Sequence, residues 1–486
     1  MQTVSCPSCG APVVFRSHAS VMAVCEFCRA AVLKDADSVR DIGKISSVLE
    51  DFSPIQMGAA GSFGGRNFTV VGRIQVHYDA GMWNEWYLLF DDGSASWLGD
   101  SSGLFVITTP RETAGPLPDF GAIIPGNQYQ IGGETFTAAE KREAKCIGGQ
   151  GELPFRVGEG WRIRVADFRR ETQFVTLDYT DGEVPLVYNG MAVTLADLKF
   201  QLLRDDEQIK SSAGRYRGKL DALECPKCGS SIGYLPGVTT SLVCPACSSQ
   251  LDAAGPEATV LAAGESVARV LTTLQLGAKA KIDNAHYTVI GAMVRSDEEG
   301  AEWTEYLLYS TTNNFFWLVE TDQGCSRASV MHGWPAWTSP AATSVRLDKV
   351  GYTKLYDYVA TVKYAAGAFN WRVAAGEQVR VSEFESGQTK LAAELTPSEM
   401  TWSRSTPVAF DQVKAWFGAD VKGEGPPAAA AKSPLRSTQM KFVWWILGLN
   451  AIPILFNFGG SFWIIICALV ALFYPASYFQ ADGEKK

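Results

Sequence analysis

Histidine is scarce: the 486 residues hold four, His18, His77, His286 and His332. That leaves little room for histidine-ligated metals or imidazole proton relays, and these four read as core or surface residues. Positive charge is also short. Forty-three basic residues face fifty-two acidic ones, a net of −9, the wrong sign for a general attraction to nucleic-acid phosphates. No Ser-His-Asp, His-Glu-x-x-His or kinase set is present, and the Gly-rich run 58–65 lacks the Lys-Ser/Thr of a phosphate loop. No stretch before residue 442 reaches about 18 uncharged apolar residues, so no earlier membrane span is expected. The balance of 47% hydrophobic and 20% charged residues is that of a globular protein and excludes disorder along the whole chain.

What is present is cysteine in two matched sets. Cys6, Cys9, Cys25 and Cys28 form one C-x2-C-x15-C-x2-C pattern; Cys225, Cys228, Cys244 and Cys247 form another. This is the spacing of a zinc ribbon: each two-residue gap lets a pair of thiolates reach one ion, and the longer span folds back with the second pair. With only Met-Gln-Thr-Val-Ser before Cys6, no leader is expected. Reduced thiols then favour metal over disulfides. Two zinc ions are expected, both structural, because four protein ligands leave no position for a substrate water. Gly10 and Gly229 follow the first knuckles, where the chain needs positive φ. Cys146, Cys325 and Cys467 have no partners at ligand spacing and read as small buried hydrophobes.

The chain is written twice. A shift of 219 carries the first four cysteines onto the second four, and Phe68-Thr-Val-Val-Gly72 onto Tyr287-Thr-Val-Ile-Gly291. One residue further on, Trp83-Asn-Glu85-Trp86 faces Trp303-Thr-Glu305-Tyr306, and Trp97-Leu98 faces Trp317-Leu318. Phe155-Arg156-Val157 faces Trp371-Arg372-Val373. Two copies make a pair of domains, not a solenoid. Short β-rich runs, broken in copy one by Asp91-Asp92-Gly93 and Thr180-Asp181-Gly182 turns, point to an antiparallel barrel or sandwich in each copy. Helical spacing is read at Val39, Ile42, Ile45, Val48, Leu49 and Phe52, at Val267, Val270, Leu271 and Leu274, and around 195–202 and 410–417.

The signature W-x-E-[WY]-x-L-L, followed by W-L and then by Gly151-Glu-Leu-Pro-Phe155-Arg156, resembles the bacterial domain family of unknown function 4178. The resemblance spans roughly 57–205, and more loosely 276–418. It brings no activity with it. It implies the company of a zinc ribbon and a membrane anchor, and a connection with polyamine synthesis. Copy two departs from the pattern, with Gly367-Ala-Phe-Asn-Trp371 in place of the Gly-Glu-Leu-Pro-Phe run.

The expected organisation is therefore mainly β: zinc ribbon 1–34, β domain 57–205, zinc ribbon 220–254, β domain 276–418, flexible linker 419–439 and transmembrane helical hairpin 440–479. No charge stands between Phe442 and Phe479, and Asn457-Phe-Gly-Gly-Ser461 interrupts the run. As one helix it would measure about 57 Å, well beyond a hydrocarbon core of roughly 30 Å. Two spans, Met440–Phe458 and Ser461–Phe479, fit better, with one tilted span and a re-entrant half as the alternative because Pro453 can kink the helix. Lys432, Arg436 and Lys441 before the run, and Lys485 and Lys486 after it, place both flanks inside. The expected location is the bacterial cytoplasmic membrane, with the soluble domains in the cytoplasm.

Candidate chemistry is sparse. Glu85 and Glu305, set between aromatics, read first as solvent-facing strand residues and second as carboxylates lined by rings. Glu152 reads first as a solvated turn residue and second as an acid or base. The first ribbon carries Arg16, Arg29 and Lys34 against Glu26, and the second Lys227 against Asp221, Glu224 and Asp252, so neither forms a basic stripe for nucleic acid. The leading reading is a membrane-anchored, cytosol-facing zinc-binding scaffold or binding module with protein partners. The alternative is an enzyme with a site near Glu85 or Glu152, tied to polyamine metabolism through the resemblance.

Overall fold

Runs rich in β-branched and aromatic residues, Arg66–Tyr78 and Gly81–Phe90 among them, form long strands, and similar runs continue around each copy. The computed structural model describes residues 2–17, 20–28, 30–34, 39–44, 53–78, 81–101, 103–157, 161–205, 208, 221–234, 241–252, 259–262, 273–310 and 314–421. Residues 1–321 and 325–425 form one compact unit. A second unit joins 322–324 to 426–486, and of it only 322–324 are described.

In copy one the strands are β1 (Arg66–Tyr78), β2 (Gly81–Phe90), β3 (Ala95–Ser101), β4 (Leu104–Pro110), β5 (Glu134–Leu153), β6 (Arg162–Arg170), β7 (Gln173–Asp178) and β8 (Leu186–Val193). They pair in the order β1-β2-β3-β4-β8-β7-β6-β5, and β5 pairs back onto β1. The ring closes as an eight-stranded barrel. Copy two repeats it with β9 (Ala285–Ser296), β10 (Glu302–Ser310), β11 (Asn314–Thr321), β12 (Gly324–Val330), β13 (Val350–Phe369), β14 (Gln378–Ser386), β15 (Thr389–Leu395) and β16 (Met400–Val408), and β13 closes on β9. Helix α1 (Phe410–Phe417) follows. The chain is mainly β, two similar domains in tandem.

Closure depends on β5 changing partner along its length. Residues 137–145 pair with β6 and 146–151 with β1. At the crossing the backbones nearly touch: a Cβ on Gly72 would lie 1.9 Å from the Glu152 carbonyl oxygen, and one on Gly151 2.3 Å from that of Val71. Gly291 and Gly367 meet the same restriction in copy two, at 2.6 Å and 2.4 Å from opposing carbonyl oxygens. The end of β5 then pairs with Met22–Val24 of the first ribbon, and the end of β13 with Ser241–Val243 of the second. Each ribbon is thus an extension of its barrel sheet.

The outer apolar faces are covered, not exposed. Phe68, Trp86, Leu88, Leu98 and Ile107 pack beneath Ile55, Ala59 and Leu198, and Phe168, Val175 and Leu177 pack beneath Phe120 and Ile123. Three helical expectations change. Val39–Lys44 is a strand paired with Ala30–Lys34, because its backbone hydrogen bonds are made to the ribbon's edge strand and not within a helix. Residues 195–199 form turns, and positive φ at Lys199 and Leu202 stops a helix from propagating. Leu274 lies in an isolated bridge with Val421. Residues 45–52, 267–271 and 422–439 lie outside the described residues, as does the expected hairpin 440–479. Among the described residues no helix is long and apolar enough to cross a membrane.

The two barrels meet in one seam. The Lys141 N–H donates to the Ser398 carbonyl, and Arg142 pairs with Glu399 at 2.6 Å. The Trp337 indole N–H donates to the Gly126 carbonyl at 3.1 Å, and Gln128 Nε2 donates back to the Trp337 carbonyl at 2.6 Å.

Candidate functional site

The cysteine knuckles come together as their spacing implies. In each first knuckle the glycine N–H donates to the first cysteine carbonyl, Gly10 to Cys6 and Gly229 to Cys225, both at 2.8 Å with φ of 77° and 72°. Cys6 and Cys28 sulfurs lie 3.6 Å apart, and Cys9 and Cys25 3.7 Å. In the second ribbon Cys225–Cys247 is 3.8 Å and Cys228–Cys244 3.7 Å. A disulfide would bring sulfurs to about 2.05 Å. A tetrahedral ion with metal–sulfur bonds of about 2.3 Å puts its sulfurs about 3.8 Å apart, so the donor set fits a zinc-sized ion. Each group of four can hold one metal ion. Cys146 and Cys325 are buried, as expected; Cys467 lies outside the described residues.

A second feature sits in the barrels. Their lumens share one cavity of about 560 Å³, lined in copy one by Trp83, Glu85, Trp97, Phe155, Trp161 and Tyr188 among others. Trp83 and Glu85 lie two residues apart on β2, so they share a face, and that face is the lumen. The expected solvent-facing Glu85 is therefore corrected: Glu85 lines the cavity. The Trp83 indole N–H donates to its carboxylate at 2.8 Å. Burial, with the nearby charges of Asp178, Asp100 and Glu140, pushes the Glu85 carboxyl from 4.5 up to about 7. Tyr188 is raised to about 12 by burial and by Asp178 and Glu85. Asp167 is raised well above the usual carboxylate range by burial and by neighbouring Glu140.

Copy two repeats the core of the constellation. Trp303 donates to Glu305 at 2.7 Å, as Trp83 does to Glu85. Trp317 lies against Trp371, with ring centroids 5.1 Å apart, as Trp97 stacks on Phe155 at 5.5 Å. But Arg295 stands across from Trp303 where Val76 stands across from Trp83. The Arg295 guanidinium contacts Glu305 at 3.3 Å and Glu394 at 2.9 Å. Among the described residues Glu85 and Asp178, the counterparts of that pair, have no basic partner.

Glu152 is corrected as well. It is 1% exposed, and its carboxylate accepts the backbone N–H groups of Arg16 at 2.7 Å and Ser17 at 3.0 Å and the Ser20 hydroxyl at 3.0 Å. Arg16 also pairs with it at 3.3 Å. Three of these contacts converge on Oε2 and hold the first ribbon on β5, which argues against the acid or base role.

The family model described as domain of unknown function (DUF4178) matches residues 56–194 and 275–410. The chain belongs to this family. Both DUF4178 matches begin after a ribbon, so the cysteine clusters lie outside the matched stretches while both lumens lie within them. None of the curated proteins matches the chain. Sequence reasoning had the DUF4178 aromatics and Glu85 but missed Asp167, Asp178 and the Val76/Arg295 difference. The signal was available: the shift of 219 sets an apolar residue against an arginine inside otherwise matching strands.

Proposed function

We propose that this DUF4178 chain is a binding module: two zinc-stapled barrels, the first of which takes a small ligand into its lumen. The observation that carries this reading is the cavity of about 560 Å³ that the two lumens share, walled in the first barrel by Trp83, Trp97, Phe155, Trp161 and Tyr188. Four thiolates at tetrahedral separations support one structural zinc in each ribbon, which a unit of about thirty residues needs in order to hold its shape. The uncharged run 442–479 with basic flanks supports a tether in the cytoplasmic membrane, barrels on the cytosolic side. Protein partners on the tethered face belong to the same proposal.

The test is a chemically varied set of small molecules followed by tryptophan emission, repeated on Gly99→Val. A Cβ on Gly99 would stand 3.6 Å from both Glu85 carboxylate oxygens, and copy two has Val319 at the matching position. The substitution should therefore narrow the lumen without disturbing the barrel. Ligands that use the lumen should weaken. Binding indifferent to the substitution would place the ligand elsewhere.

One observation favours an enzyme as a second reading. A carboxyl raised to about 7 beside a cavity can take or give a proton near neutrality. Turnover lost in Glu85→Gln with binding retained would support it.

A further inference from the structure

The second barrel shows what its carboxylates hold. Glu305 and Glu394 close on a guanidinium supplied by Arg295 from the same wall. The first barrel keeps the matching acids, Glu85 on β2 and Asp178 on β7, with the same tryptophan donating to the first of them. It removes the cation, because Val76 fills the ladder position of Arg295. It also clears the space above the carboxylate, because Gly99 replaces Val319. Two substitutions thus empty the place that a built-in cation takes in the duplicate.

The two arginines of the first lumen do not fill it. Arg142 is drawn to the seam, where it pairs with Glu140 at 2.5 Å and Glu399 at 2.6 Å and lies over the Tyr78 ring. Arg169 donates to the His332 carbonyl at 3.2 Å. Around the whole cavity ten carboxylates line the wall against four basic side chains. Burial holds Glu85, Asp167 and Asp178 above their ordinary ionisation range, with added repulsion on Glu85 from Asp178, Asp100 and Glu140 and on Asp167 from Glu140 and Glu85, a cost that a bound cation would relieve. Tryptophan faces beside those acids suit a positive head on an apolar stem.

We infer that the first barrel binds a small organic cation with N–H donors, a guanidinium or primary ammonium on a short alkyl chain, its head between Glu85 and Asp178. The inference rests on the lumen reading above and adds the ligand's chemistry. The Arg295 guanidinium is its internal analogue, so the second barrel is self-filled.

The test uses the full-length protein and three probes of similar shape: n-butylguanidinium, n-butylammonium and neutral n-butylurea, followed by saturation-transfer NMR. Both cations should bind and the urea should not. Glu85→Gln should weaken the cations tenfold or more. Val76→Arg should abolish their binding and raise the thermal midpoint, by giving the first barrel the second barrel's ion pair. Should Val76→Arg fail to fold, Arg295→Val is the converse: it should open a second cation site in the other barrel. Urea binding as well as the cations, unchanged by Glu85→Gln but lost in Gly99→Val, would overturn the cation while leaving the lumen reading in place. Cation binding that survives both Gly99→Val and Val76→Arg would overturn both.

Discussion

The Glu152 carboxylate accepts the backbone N–H of Ser17 at 3.0 Å, joining the first ribbon to the barrel across 135 residues of sequence. Together with the Arg16 N–H and the Ser20 hydroxyl it makes a buried, charge-assisted clamp. The matching position in copy two is Ala368, which pairs with Leu242 and offers no carboxylate. The two ribbons are therefore attached by different chemistry, one by a carboxylate cradle added to a strand pairing. Glu152→Ala would leave two N–H groups and a hydroxyl without their acceptor, at a cost of about 3 kcal/mol. Hydrogen exchange should accelerate in residues 12–24 and stay unchanged in the second ribbon. Unchanged exchange in both would show that strand pairing alone holds the ribbon.

Metal content tests the cysteine clusters. The purified chain should carry two equivalents of zinc, and Cys6→Ser or Cys225→Ser should each remove about one, because each ribbon's ligands lie within 4.8 Å of one another and belong to one site. Circular dichroism should show local loss only, since the eight-stranded rings close without the ribbons. Retention of both equivalents by either variant would refute the ligand assignment.

How far the sequence could be read depended on whether the signal was local. The ribbons and α1 were legible because metal-ligand spacing and a short 3.6-residue period are local properties, and the duplication was legible because both glycines of the crossing recur, Gly72 as Gly291 at a shift of 219 and Gly151 as Gly367 at a shift of 216. Barrel closure was not. It depends on β5 leaving β6 for β1 at Cys146, a long-range exchange that no window of residues reports. Glu152 was misread for a related reason: its partners lie in the ribbon, and a carboxylate in a glycine-rich run looks like a turn until Arg16 and Ser17 are placed against it. Glu85 was misread more simply. Its parity with Trp83 already put both on one face.

Glu85 also makes a pH prediction. Its carboxyl moves from 4.5 to about 7 in the folded barrel, so the folded state binds its proton more tightly than the unfolded chain does. Its contribution to stability is therefore greatest below about 4.5 and is lost as pH rises through 7. The groups facing it are Asp178, Asp100, Glu140 and Asp167, all acidic, with the Trp83 N–H as the one opposing donor, and they push in the same direction. Glu85→Gln should match the native chain near pH 4.5 and exceed it in stability by up to about 3 kcal/mol near pH 8, read from denaturant midpoints. A native chain that gains on the variant with rising pH would mean that a cation already neutralises Glu85.

The proposed tether carries the last prediction. Deleting everything after Ser437 should release the chain from membranes, because no earlier stretch holds about 18 uncharged apolar residues. In the intact chain, reporters before Met440 and after Lys486 should both read cytoplasmic, and one inserted at Gly459-Gly460 should read external. The reason is charge: Lys432, Arg436 and Lys441 on one side and Lys485 and Lys486 on the other resist translocation, while the turn between the two spans has no ionised group to carry across. Opposite readings at the two termini would mean a single span, with Pro453 or the Gly-Gly pair turning the remaining half back into the interface. In that case the barrels would keep their side of the membrane, since they lie before the first span, and only Lys485 and Lys486 would stand on the far side, against the positive-charge rule that predicts two spans.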